Sequence, residues 1–187
     1  MRTTTLAKIR SFDPCEKEWK KLLRRLGKTK ADNRPLPYSM IVRTCGLDAA
    51  LWATRTETDY RWVQELAIEY ARRAVPFTEY SRAGFVLDTA QKYLEGQVGR
   101  KKLLKAISNA RKAYYNYTHV SFCSSDSFAI DAVRLAAKAA SASDPVHVSD
   151  FIDDVCSLVV NAVFWSPSEY SYSEVKMQTQ EFLEAVS

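Results

Sequence analysis

Apolar residues recur at helical spacing along most of this chain, and no segment alternates apolar with polar residues for a useful length. This is the tightest restriction on the fold, because a 3.6-residue repeat buries one stripe of a helix and cannot bury one face of a sheet. Trp19, Leu22, Leu23 and Leu26 fall at i, i+3, i+4 and i+7, and Gly27 supplies a stop. Asp13-Pro14-Cys15-Glu16 reads as the start of that helix, with Asp13 as cap, Pro14 in the first position and Glu16 completing a capping box. Residues 28–37, with Asn33, Pro35 and Pro37, form a polar connector. Short helices are predicted over 39–45, between a Ser39 cap and Gly46, and over 48–55. Asp59 opens a longer one that Pro76 closes, 85–94 forms another that ends at Gly96, and 100–117 forms the next.

The C-terminal third sharpens the picture. Residues 127–141 are rich in alanine, which makes a slim helix that neighbours can approach closely. From Ser149-Asp150 runs the most apolar helix, with Phe151, Ile152, Val155, Val159, Val160 and Val163, expected at the centre of the core. Asp150, Asp153 and Asp154 then occupy its first turn, where the macrodipole favours acid. A last helix over 173–186 places Val175, Phe182, Leu183 and Val186 on one side, and residues 146–148 give the one weak strand signal. The expected fold is all-α, an irregular helical bundle of about seven to nine helices. A length of 187 residues suits one domain or two small ones. The division expected is a basic N-terminal helical segment, 1–57, packed on a main helical domain, 58–187.

An apolar fraction of 47% beside 26% charged residues excludes wholesale disorder. No run of 18 apolar residues offers a membrane span, and the basic start at Met1-Arg2 lacks the apolar stretch of a secretory signal. Cys15, Cys45, Cys123 and Cys156 are too sparse for a disulfide scaffold. They read as reduced thiols of a cytoplasmic protein, with two disulfides as the other option.

Charge is more informative when resolved along the chain. The net value is +5, but residues 1–112 hold 24 basic and 12 acidic residues, while 113–187 hold 3 and 10. The basic clusters are Lys21, Arg24 and Arg25 with Lys28, Lys30 and Arg34; Arg100, Lys101 and Lys102 with Lys105; and Arg111 with Lys112. The last runs into Tyr114, Tyr115 and Tyr117, rings that can stack on unpaired bases. Tyr114 and Tyr115 equally continue an apolar stripe from Ile107, so core packing is a second reading. The N-terminal basic helix and the 100–112 helix are expected to make one charged face, and the oppositely charged halves allow head-to-tail pairing or a homodimer.

Motifs for chemistry are sparse. His119 and Cys123 are four residues apart, but no C-x-x-C or H-E-x-x-H accompanies them, and His147 stands alone beside Pro145. Asp150, Asp153 and Asp154 could share acid–base work or hold Mg²⁺, although an ordinary helix start accounts for them. There is no G-x-S-x-G turn, and Gly96-Gln97-Val98-Gly99 lacks the remainder of a phosphate loop. No cofactor is expected.

Two stretches carry a resemblance. Leu26-Gly27-Lys28-Thr29-Lys30-Ala31-Asp32, Pro35-Leu36-Pro37 and Cys45-Gly46-Leu47-Asp48-Ala49-Ala50-Leu51-Trp52 resemble a segment of helical proteins encoded by phages and prophages. The order of elements from Leu66 to Arg73, through Ala90 to Gly96 and the alanine-rich 129–142, to Glu174–Leu183, resembles an immunity-protein-like all-α domain of bacteria and phages. Where that pattern tends to a longer alanine repeat, this chain carries the tyrosine- and serine-rich 114–127. The resemblance brings no catalytic residues. It implies a non-enzymatic protein that binds and inhibits a bacterial defence complex, such as a CRISPR-Cas effector, in the manner of anti-CRISPR proteins. The partner would be a protein or nucleoprotein met through Lys21, Arg24, Arg25, Lys28, Lys30, Arg100, Lys101, Lys102, Lys105, Arg111, Lys112 and Tyr115. Direct binding of nucleic acid, through Arg24, Arg25, Lys101, Lys102, Arg111 and Tyr115, is the alternative.

Overall fold

The computed structural model describes residues 1–118, 124–164 and 171–187. Among them the chain is all-α: α1 (Leu6–Ser11), α2 (Glu16–Arg25), α3 (Tyr38–Cys45), α4 (Leu47–Ala53), α5 (Arg61–Ala74), α6 (Ala83–Leu94), α7 (Arg100–Thr118), α8 (Ser125–Ser141), α9 (Pro145–Phe164) and α10 (Ser171–Ala185). Two two-residue strands, β1 (Thr3–Thr4) and β2 (Leu36–Pro37), pair antiparallel. No helix among the described residues is long and apolar enough to cross a membrane.

The alanine-rich helix is the hub. α8 packs against α5, α6, α7 and α9, and Ala129, Ala132, Ala136, Ala137 and Ala139 are fully enclosed. Methyl side chains let four helices approach one axis, which bulkier residues would hold apart. α8 starts on a capping box in which Ser124 and Ser127 satisfy each other's backbone N–H groups. At its other end Gln64 of α5, itself buried, donates to the carbonyls of Ala139 at 2.9 Å and Ala142 at 3.1 Å, so a neighbouring helix supplies the C-cap. α9 shares the centre with α5 and α8, but one side of it, with Asp153, Asp154 and Ser157, faces solvent.

Several boundaries differ from the sequence reading for identifiable reasons. Asp13 does not cap α2; its φ of 50° and its N–H bond to the Arg10 carbonyl at 3.1 Å make it the left-handed residue that closes α1. α2 starts after Cys15 without a side-chain cap. α1 itself escaped the sequence pattern, being six residues long and announced only by the Thr5 cap on Lys8 N. Ser39 lies inside α3, behind Pro37, and Gly46, at φ 97°, ends that helix as expected. α9 starts at Pro145, not at Ser149. Asp144 Oδ1 accepts the His147 N–H at 3.0 Å, which turns the weak strand signal of 146–148 into the first turn of a helix.

α10 buries Phe182 and Val186 as predicted, but its stripe continues through Gln178 and Glu174 and not through Val175. Glu174, Gln178, Phe182 and Val186 are buried, whereas Val175 is exposed. The polar pair is affordable because both side chains find partners. Gln178 Nε2 donates to the Cys156 carbonyl and to Glu174, and the main-chain carbonyl of Gln178 accepts the Tyr70 hydroxyl at 2.7 Å. Arg73 of α5 lies 2.8 Å from Glu174 and 2.6 Å from Glu181.

Candidate nucleic-acid interface

α7 is nineteen residues long and contains six cations and no acid. Leu103, Ala106, Ile107 and Ala110 form its buried stripe, lying on α6 and α8. At 100° per residue the charges must then fall outward. Arg100, Lys101, Lys102, Lys105, Arg111 and Lys112 are all exposed, and none makes an ion pair among the described residues. The helix presents these charges over about 18 Å of its length. The apolar stripe extended in sequence to Tyr114 and Tyr115 stops at Ala110 as a core stripe. Tyr114 is half-buried and Tyr115 is 49% exposed, and Leu104, on the same edge as Tyr115, is 48% exposed.

Along that edge α7 and α8 leave a groove of about 450 Å³, lined by Leu104, Ile107, Ser108, Arg111, Tyr114, Tyr115, Arg134 and Lys138. The guanidinium of Arg111 lies 5.4 Å above the Tyr115 ring, and that of Arg134 lies 5.8 Å above Tyr114. The two tyrosine rings meet edge to face at 5.8 Å. Arg134 is tied to Asp131, with Nε 2.6 Å from Oδ1. Burial, then the charge of Arg134, holds the Lys138 ammonium below its ordinary value, against the pull of Asp131; Arg111 adds to the depression.

α2 is basic in a different way. Lys20 lies 3.5 Å from Glu16, Lys21 lies 2.9 Å from Glu18, and Arg10 reaches Glu16 at 3.2 Å. Arg25 donates to the Thr44 carbonyl, and Lys28, past the helix end, pairs with Asp32. Arg24 and Lys30 are exposed. α2 rests on α3, whereas α7 rests on α6 and α8, so the two basic helices share no packed side. Lys21 instead borders a second cavity, of about 410 Å³, with Trp19, Trp52, Cys15, Cys45, Asp48 and Asp153.

The carboxylates of α9 do not converge. Asp150 pairs with Arg55 at 2.7 Å, and Arg55 in turn lies 4.2 Å above the Trp52 ring. Burial, then Asp48 and Asp154, raises Asp153, while burial, then Asp150 and Asp131, raises Asp154. With α9 starting at Pro145, these acids sit in its second and third turns, and the first-turn dipole argument no longer applies to them. His147 pairs with Asp144 and stacks on Phe151 at 6.5 Å. His119 and Cys123 lie outside the described residues. Among the described residues no group of three His, Cys, Asp or Glu is placed to hold a metal ion.

Arg134 and Lys138 escaped the sequence reading because they belong to the acidic C-terminal part. Their signal was present: they are the two cations of an otherwise alanine-rich helix, four residues apart and therefore on one side of it. Compared with protein-family profiles, curated proteins and solved structures, the chain has no match.

Proposed function

We propose that this is a non-enzymatic binding protein that engages nucleic acid through the outward face of α7. The observation that carries the reading is a nineteen-residue helix with six cations and no acid, each cation exposed and without an acidic partner among the described residues. A folded domain gains little stability from such a row, since like charges on one helix repel by a few tenths of a kcal/mol per pair. A polyanion converts the same row into affinity by releasing its condensed counterions. Phosphates spaced along a backbone suit a helix face of one sign better than a patch of mixed sign.

Titration of a labelled oligonucleotide at 50 and 200 mM salt tests this. Affinity should fall roughly ten-fold or more between the two, because each phosphate contact adds about 0.7 to 0.9 to the logarithmic salt slope. Absence of binding at the lower salt would remove the proposal. The resemblance of residues 26–52 favours a narrower form, in which the nucleic acid belongs to a bacterial nucleoprotein defence complex that the chain inhibits. Purified effector loaded with its nucleic acid, but not the stripped protein, should then retain the chain.

A further inference from the structure

The groove between α7 and α8 holds an excess of positive charge that the protein itself does not neutralise. Three cations, Arg111, Arg134 and Lys138, line it and no carboxylate does; of the acids whose charge reaches Arg134, Asp131 is already held by it and Asp154 stands on α9 outside the lining. Arg134 is only 16% exposed, so solvent relieves this crowding poorly at the groove floor. An anion placed among the three would remove their mutual repulsion. The volume of about 450 Å³ suits a nucleotide-sized ligand and is ample for a bare phosphate.

The other wall is aromatic and apolar. Arg111 and Tyr114 engage the Tyr115 ring, yet about half of that residue remains open. Leu104, Ser108, Arg111 and Tyr115 follow one another at i, i+4, i+7 and i+11, which puts them along a single edge of α7 beside the cations. A planar ring laid on Tyr115 would gain stacking and would meet Leu104 at its rim. Phosphate and flat ring joined at short distance describe a nucleotide. In a duplex the base faces are stacked on one another and closed to such contact, so the seat requires an unpaired base.

We propose that the α7–α8 groove seats one unit of single-stranded nucleic acid, its phosphate among Arg111, Arg134 and Lys138 and its base on Tyr115. This rests on the reading of α7 as a nucleic-acid-binding helix and adds the strand type that the protein selects. α7 outside the groove then tracks the neighbouring phosphates.

Fluorescence anisotropy with a twelve-nucleotide oligothymidylate, a duplex of equal length, thymidine monophosphate and poly-glutamate decides it. The single strand should bind roughly ten-fold tighter than the duplex, and Y115L should lower single-strand affinity by roughly ten-fold while leaving the duplex unchanged. Y115W should retain the preference, and K138Q should lower the single-strand salt slope by about 0.7. Tyr115 is exposed, so the two Tyr115 variants leave the core intact. Equal effects of Y115L on single strand and duplex, or poly-glutamate binding as tightly as the single strand, would overturn the seat while leaving α7 as a polyanion surface. Failure of every nucleic acid to bind the unmodified protein would overturn both. Tight binding of the monophosphate alone, unaffected by Y115L, would mark a plain phosphate pocket and also overturn the proposal.

Discussion

α2 and α7 are both basic amphipathic helices, and in the sequence they look like two halves of one feature. Their surroundings separate them. In α2 the acids Glu16 and Glu18 lie within a turn of the lysines, so much of its charge is spent on Lys20, Lys21 and the incoming Arg10. In α7 there is no acid to spend it on. Arg73 is the extreme of the first kind, a largely buried cation between Glu174 and Glu181 with its Nε unpartnered. Charge already committed to partners within the fold works on stability, and uncommitted charge is available to a ligand. Counting basic residues along a chain does not tell the two apart.

The comparison breaks most readily at Arg73. Arg73→Leu should destabilise the fold by about 3–5 kcal/mol in urea unfolding, because Glu174 would stay buried without a counter-charge. Oligonucleotide affinity, measured where the variant remains folded, should not change. The same network predicts a pH dependence. Burial raises Glu174 and Glu181 above the ordinary 4.5 in spite of Arg73. The folded chain therefore binds more protons than the unfolded chain between 4.5 and the raised values, so this contribution to stability falls as pH rises through that window. Glu174→Gln should flatten the slope, and an unchanged slope would show that other groups carry it.

α7 comes next. Reversing Lys101, Lys105 and Lys112 to Glu should weaken oligonucleotide binding by roughly 100-fold at low salt and reduce the salt slope by about two or more. Stability should move by less than about 1 kcal/mol, since these side chains are exposed and unpaired. A loss of the same size on reversing Lys17, Lys20 and Arg24 would erase the distinction between the helices.

A smaller effect tests the idea from the opposite side. Glu16→Gln with Glu18→Gln releases the α2 cations, so polyanion affinity should rise by roughly two- to five-fold, with a stability loss within about 1 kcal/mol. Unchanged affinity would mean that α2 lies away from any bound polymer. The smallest effect concerns the start of α9, where Asp144 raises His147 above its ordinary 6.5. The pair contributes fully below 6.5 and is lost as pH rises through the raised value. An NMR titration should show the elevated midpoint, and Asp144→Asn should bring it down.

The helical character of the chain was legible because apolar spacing and glycine stops are local signals. Gly46 and Gly96 end helices where expected, with φ of 97° and 75°, and α5 to α8 fall within a few residues of their predicted bounds. Asp13 misled because one residue type serves both as an N-cap and as a left-handed closing residue, and the choice depends on whether a helix precedes it. Pro145 competes in the sequence with the acids at 150–154, which resemble an ordinary helix start and lie one turn too late. The buried Glu174 and Gln178 could not be read at all, since their partners, Arg73, Tyr70 and Cys156, lie on other helices.

The sequence by itself determined an all-α chain, its alanine-rich helix and the placement of its basic clusters, because each follows from residue type and spacing within a few turns. Tertiary structure alone decided which of those charges remain free. It gave α2 its contact with the Thr44 carbonyl, left the α7 cations without an ion pair among the described residues, and brought Arg134 and Lys138 of an acidic segment beside Arg111 and Tyr115. Pairing depends on distances of a few ångströms between residues far apart in the chain, and only the packed fold sets those distances.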